Sequence, residues 1–130
     1  FCLRGINMTI EEAIELCDRM KPNHYEKDDK LRWLSELDGR IRIEILDTHE
    51  GGPSEPFTGY DENTPGDTAL LVMPPYDGLY LHYLGAQMDY HNAEYARYNN
   101  GIGAFSSVYA EYADWYNRSH TPKQDNSVRL

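Results

Sequence analysis

Tyrosine is the side chain whose number and spacing most invite a chemical reading. Eleven occur in 130 residues, and nine fall in one stretch: Tyr76, Tyr80, Tyr83, Tyr90, Tyr95, Tyr98, Tyr109, Tyr112 and Tyr116. A phenol ring offers a large amphipathic contact area with few torsions to freeze. The pattern therefore suits a helical core whose hydroxyls reach its rim, or a surface that docks a subunit or partner. Phe57 and Tyr60 join the candidates for such a surface. Platforms that stack nucleic-acid bases pair their aromatics with a basic groove. Here Arg97 and Arg118 are the only Lys or Arg residues between 76 and 120, and a net charge of −10 repels phosphate. Direct sequence-specific nucleic-acid binding is not expected.

Other constellations reduce to ordinary structure. Asp61, Asn63 and Gly66 occupy the first, third and sixth places of a calcium loop, but Pro65 stands fifth and Val72 holds the twelfth place, where a bidentate Glu is required. His91 and Glu94 are expected on one side of a helix, without the second Glu-x-x-His and the two further glutamates of a di-iron bundle. Ser106 and Ser107 lack a nucleophile elbow. Gly101-Ile102-Gly103 lacks the preceding strand and third glycine of a dinucleotide site. Asp28 and Asp29 suit the positive end of a helix dipole rather than acid–base work. Cys17 lies on an apolar helix stripe, where a thiol is normally inert packing. No catalytic, cofactor-binding or metal-ligating set emerges, so a non-enzymatic protein without cofactor is expected.

The elements that position these residues follow from apolar periodicity. Thr9 with Glu12 forms a capping box, and Ile10, Ala13, Ile14 and Cys17 give a short helix to about Met20, stopped by Pro22. Leu31, Leu34, Leu37, Ile41 and Ile45 predict a second helix over about 26–47. Gly39 inside it is expected to admit a closely crossing neighbour helix. From His49 to Pro75 the pattern gives way to glycines, prolines and acids; residues 51–75 hold four acids and no base. Loops of that length usually carry a small element or a function, and a short β-hairpin between Phe57–Tyr60 and Ala69–Val72 is a candidate. A third helix is expected over about 75–98, broken by Asn99-Asn100-Gly101. A fourth follows over about 102–117, with Pro122 beyond it. The fold class is thus mainly α, a four-helix bundle-like domain over 9–120. It is preceded by an N-terminal extension, 1–8, and followed by a polar C-terminal tail, 121–130.

The longest apolar run, Ala69 to Met73, is far short of the roughly 20 residues of a membrane span. Neither a secretory signal pattern nor a disulfide framework is visible, with Cys2 and Cys17 the only cysteines. No membrane association is expected, and a reducing cytoplasm is.

The order of parts carries a resemblance. A capped helix beginning Thr9-Ile10-Glu11-Glu12-Ala13 leads to Asp28-Asp29 and an amphipathic helix. A loop ending in Pro74-Pro75 follows, then a Tyr-rich helix finishing in Glu94-Tyr95-Ala96-Arg97-Tyr98. Over about residues 9–118 this resembles the small head–tail connector, or head-completion, proteins of tailed bacteriophages and prophages. With Asp114-Trp115-Tyr116-Asn117-Arg118, it is also similar to proteins encoded beside capsid genes in prophages of Gram-positive bacteria. The resemblance implies a subunit of a ring homo-oligomer, contacting the phage portal and neighbouring connector subunits, in the virion or the host bacterial cytoplasm. The acidic loop 49–75 and the extra Tyr-rich helix depart from the simpler connector pattern. A small acidic helical adaptor or regulatory protein, binding another protein partner, is the alternative.

Overall fold

The computed structural model describes residues 7–123. Helix α1 spans Ile10–Met20, and the Thr9–Glu12 capping box forms as expected, each side chain bonding the other residue's backbone N–H. Its stripe, Ile10, Ala13, Ile14 and Cys17, is buried. Helix α2 spans Lys27–Ile41 and continues without a break into a π-helical turn, Arg42–Leu46. In that turn the Asp47 N–H reaches the Arg42 carbonyl, five residues back, at 2.8 Å. The wider turn also brings the two side chains together: Arg42 Nε lies 2.9 Å from Asp47 Oδ1, and Arg42 Nη2 donates to the Glu55 carbonyl at 2.7 Å. The guanidinium thus straps the start of the long loop to the helix it leaves.

Helices α3, Gly78–His91, and α4, Tyr95–Ser119, form an antiparallel hairpin and the most extensive helix–helix contact among the described residues. The core unites Leu34, Leu37 and Ile41 of α2 with Leu79, Tyr80, Leu84 and Met88 of α3, Phe105, Tyr112 and Tyr116 of α4, and the α1 stripe. The protein is mainly helical, with a bundle-like arrangement.

Three local expectations are corrected. The helical hairpin turns at Asn92–Glu94, not at Asn99-Asn100-Gly101, which lie inside α4. There the Ala93 N–H bonds the Tyr90 carbonyl and the Glu94 N–H the Asp89 carbonyl, with Ala93 left-handed at φ 60°. This is the Schellman arrangement that ends many helices, made with alanine where glycine is usual. Gly101 instead lies where α3 and α4 cross: a Cβ on it would sit 3.4 Å from Ala86 Cβ. The close helix crossing expected at Gly39 is therefore found at Gly101, whereas Gly39 faces the Phe57 ring of the loop.

The candidate hairpin between 57–60 and 69–72 does not form, and no strand occurs among the described residues. The later segment pairs with the approach to α1 instead. Leu70 N–H bonds the Met8 carbonyl at 2.8 Å, while Ile10 and Glu11 N–H bond the Thr68 and Gly66 carbonyls. That register drops Leu70 and Val72 into the core. The earlier segment is held to α2: Tyr60 N–H bonds Ser35 Oγ at 3.0 Å, beside Gly59 at φ 89°. Thr121–Lys123 run alongside Thr48–Glu50, joined by Glu50 N–H to the Thr121 carbonyl and Lys123 N–H to the Thr48 carbonyl. Residues 1–6 of the expected extension and 124–130 of the expected tail lie outside the described residues.

Candidate functional site

The aromatic side chains of the α3–α4 hairpin separate into three environments. At the turn, Tyr90 and Tyr95 are 51% and 56% exposed. Tyr90 packs on Tyr95 and Tyr98 with ring centroids 5.9 and 5.3 Å apart. His91, next to Tyr90, stacks on Trp33 of α2 at 5.6 Å, and the Tyr25 hydroxyl donates to Asn92 Oδ1 at 2.7 Å. The tip is thus fixed from below by Trp33 and Tyr25 while its tyrosine faces stand in water. Glu94 belongs to the helix start rather than sharing a helix face with His91, and pairs with Arg97 at 3.0 Å. The expected His91/Glu94 side of helix three is therefore not formed.

At the opposite end, an open cleft of about 470 Å³ is walled by Tyr112, Trp115, Tyr116 and His120 and floored by Leu46, Leu71 and Gly51–Pro53. His120 stacks on Tyr116 at 3.8 Å, and Tyr76 lies 5.6 and 5.9 Å from Tyr112 and Trp115. Gly52 passes so near Tyr116 and the Leu46 carbonyl that a Cβ would come within 2.9 Å of that oxygen. Burial pushes the Tyr112 phenol well above its ordinary value, with the neighbouring Tyr116 and Asp38 adding to the rise, so it stays a neutral hydroxyl.

Between the two ends, the tyrosines are structural. Tyr80 is wholly buried and presents nothing to a partner. Tyr83, half-buried, packs on Phe105, as does Tyr109. Tyr109 hydrogen-bonds Glu44 and lies under the Arg40 guanidinium, 4.8 Å from its ring centroid. That hydrogen bond, with Arg40 beside it, holds Glu44 below its usual range. Phe57 packs edge-on against Tyr60, both half-buried in the loop.

Sequence reasoning passed over Asp38. It lies fully buried in α2, where its carboxylate accepts from Tyr80 at 2.6 Å, Tyr60 at 2.5 Å and the Leu71 N–H at 3.2 Å. Burial outweighs those three donors and lifts its pKa from 3.8 to about 6. The signal was present in the spacing, since Asp38 falls between Leu34 and Ile41 on the apolar face. Burial likewise raises the Cys17 thiol to about 11, leaving it a protonated core group. Asp61 closes an ordinary turn, its side chain accepting from Asn63 N–H at 2.8 Å and its N–H donating to Thr64 Oγ1. No group of three or more His, Cys, Asp or Glu side chains among the described residues is placed to hold a metal. No described helix is long and apolar enough to cross a membrane.

Comparison with known protein families, curated proteins and solved structures finds no match to this chain.

Proposed function

We propose that this chain is a non-enzymatic assembly protein that docks on other proteins through the aromatic tip of its helical hairpin. The observation that carries the reading is the pair Tyr90 and Tyr95, each more than half exposed and packed edge-on, with Tyr98 tilted against Tyr90, on a turn braced by Trp33 and Tyr25. Tyrosines already packed on one another lose little side-chain freedom on binding and present large apolar faces with a hydroxyl at the edge. In the setting implied by the resemblance, the partners are the phage portal and neighbouring copies. The function is then that of a head–tail connector subunit in a ring homo-oligomer. A net charge of −10 suits a conduit for DNA, since it avoids trapping the polyanion.

Light scattering after size exclusion, across a concentration series and with added portal, tests this. The expected result is a discrete ring or a portal complex. Tyr90→Ala with Tyr95→Ala should abolish it while leaving helicity unchanged and lowering the melting temperature only slightly, because each side chain is more than half exposed. A protein that stays monomeric and binds no portal refutes the connector role and leaves the adaptor. Assembly that survives the double substitution refutes the tip as its docking surface.

A further inference from the structure

The buried carboxylate of Asp38 joins three parts of the chain that lie far apart in sequence. Among the described residues its Oδ1 accepts only from the Tyr80 hydroxyl, which in turn accepts from Val72 N–H at 2.8 Å. Its Oδ2 accepts from the Tyr60 hydroxyl and from Leu71 N–H. As a carboxylate, all its bonds are satisfied: three donors meet two acceptor oxygens. The groups facing it are Tyr60 and the Leu71 amide from the loop, Tyr80 from α3 and Tyr112 from α4. Arg42, one turn further along the same helix, is engaged by Asp47 and the Glu55 carbonyl.

A proton arriving on this group has two places to go, and they are not equivalent. On Oδ1 it would donate to Tyr80 oxygen and turn the Tyr80 hydroxyl hydrogen away into the core, out of reach of bulk solvent, since Tyr80 is wholly buried. On Oδ2 it donates to Tyr60 oxygen, and the displaced Tyr60 hydrogen has the less enclosed place to turn, because Tyr60 is only half-buried and lines open surface hollows. An orphaned buried donor is the costlier outcome, so the proton goes to Oδ2.

We propose that Asp38 is a proton-operated latch on the loop: ionised, it holds Tyr60, Tyr80 and Leu71 together, and protonated, it loosens the Tyr60 side while keeping Tyr80. Protonation weakens two bonds at Oδ2, because the Tyr60 hydroxyl no longer donates to a charge and the Leu71 N–H meets a neutral acceptor. The helical core, held through Tyr80 and its packing, stays closed. With Asp38 still buried beside Tyr80, the turn around 57–64 is held less tightly, by the Asp38 hydroxyl on Tyr60 and by Tyr60 N–H on Ser35 Oγ, and this holds whether or not the docking role above is correct.

NMR on the full chain between pH 7.5 and 4.5 tests the latch. The Asp38 carboxyl carbon should titrate with a midpoint near 6. The Tyr60 Cζ signal should move with the same midpoint, and the Tyr80 Cζ signal far less. The Leu71 amide proton shift should move with the same midpoint as its acceptor loses its charge. In Tyr60→Phe, which needs no change at the buried carboxylate, the Asp38 midpoint should rise and the pH dependence around residues 57–64 should vanish. Equal movement of Tyr60 and Tyr80 overturns the proposal, as does titration of Asp38 with neither tyrosine responding, or a midpoint in the ordinary range near 3.8.

Discussion

Replacing Ala93 by glycine should stabilise the protein, against the usual direction for alanine in a helix-rich segment. Ala93 sits at φ 60°, exposed, as the residue after the α3 cap. A residue with a Cβ in the left-handed region carries roughly 1–2 kcal/mol of steric cost, which glycine relieves. Against that, glycine gives the unfolded chain more freedom, at about 0.4–1 kcal/mol. No packing is lost, since the methyl is in solvent, so the net gain is roughly 0.5–1 kcal/mol. For a chain of 130 residues that is a rise of about 2–5 °C in Tm. Urea denaturation monitored by circular dichroism reads the gain as a higher midpoint at unchanged slope. Ala110→Gly, on the exposed face of α4, is the control and should lose about 1 kcal/mol. The same substitution thus takes opposite signs at the two sites. If Ala93→Gly instead lost about 1 kcal/mol, residue 93 would lie within a continuous helix, and the turn at 92–94 would be wrong.

Three further outcomes follow from named contacts. Tyr80→Phe strands Val72 N–H and removes one donor from the buried Asp38, so it should cost about 2–4 kcal/mol in denaturant titration; Tyr112→Phe, whose hydroxyl bonds no described protein group, should cost under about 1 kcal/mol. Gly101→Ala should be tolerated, its Cβ meeting Ala86 at 3.4 Å, whereas Gly101→Leu should force α3 and α4 apart and cost roughly 1–3 kcal/mol by thermal melting. Because Asp38 has its folded pKa raised from 3.8 to about 6, the associated stability is fully present below 3.8 and lost as pH rises through 6, on the order of 3 kcal/mol in all. Stability should therefore increase as pH falls from about 7 to about 5, and Asp38→Asn should flatten that slope. At lower pH the exposed Glu44, and Asp18, which partial burial opposes but Lys30 and Asn23 hold below its usual value, lose their small contributions as they protonate. A slope unchanged in Asp38→Asn would refute the assignment.

Local chemistry was legible wherever a signal is completed within a few residues. The Thr9–Glu12 box, the α1 stripe and the α2 periodicity needed only neighbours three or four positions away, and those spacings alone make an amphipathic helix. The mainly α class followed from the same patterns. What only the tertiary structure decided was which of several equivalent local signals would be used. Asn99-Asn100-Gly101 reads as a break, and Asn92-Ala93-Glu94 does not. Yet Gly101 is wanted at the helix crossing, where a larger side chain would hold α3 off α4, so the chain turns earlier and accepts a left-handed alanine. The loop follows the same logic: Ala69–Val72 has a strand's composition, but Leu70 pairs with Met8 and Asn7 on the approach to α1, more than 60 residues away. Asp38 shows the division most sharply. Its position on a buried face was written in its spacing, whereas the three donors that make a buried carboxylate tolerable come from Tyr60, Leu71 and Tyr80. Bonds of that range form only when the core closes around them, because no local preference in the chain specifies them.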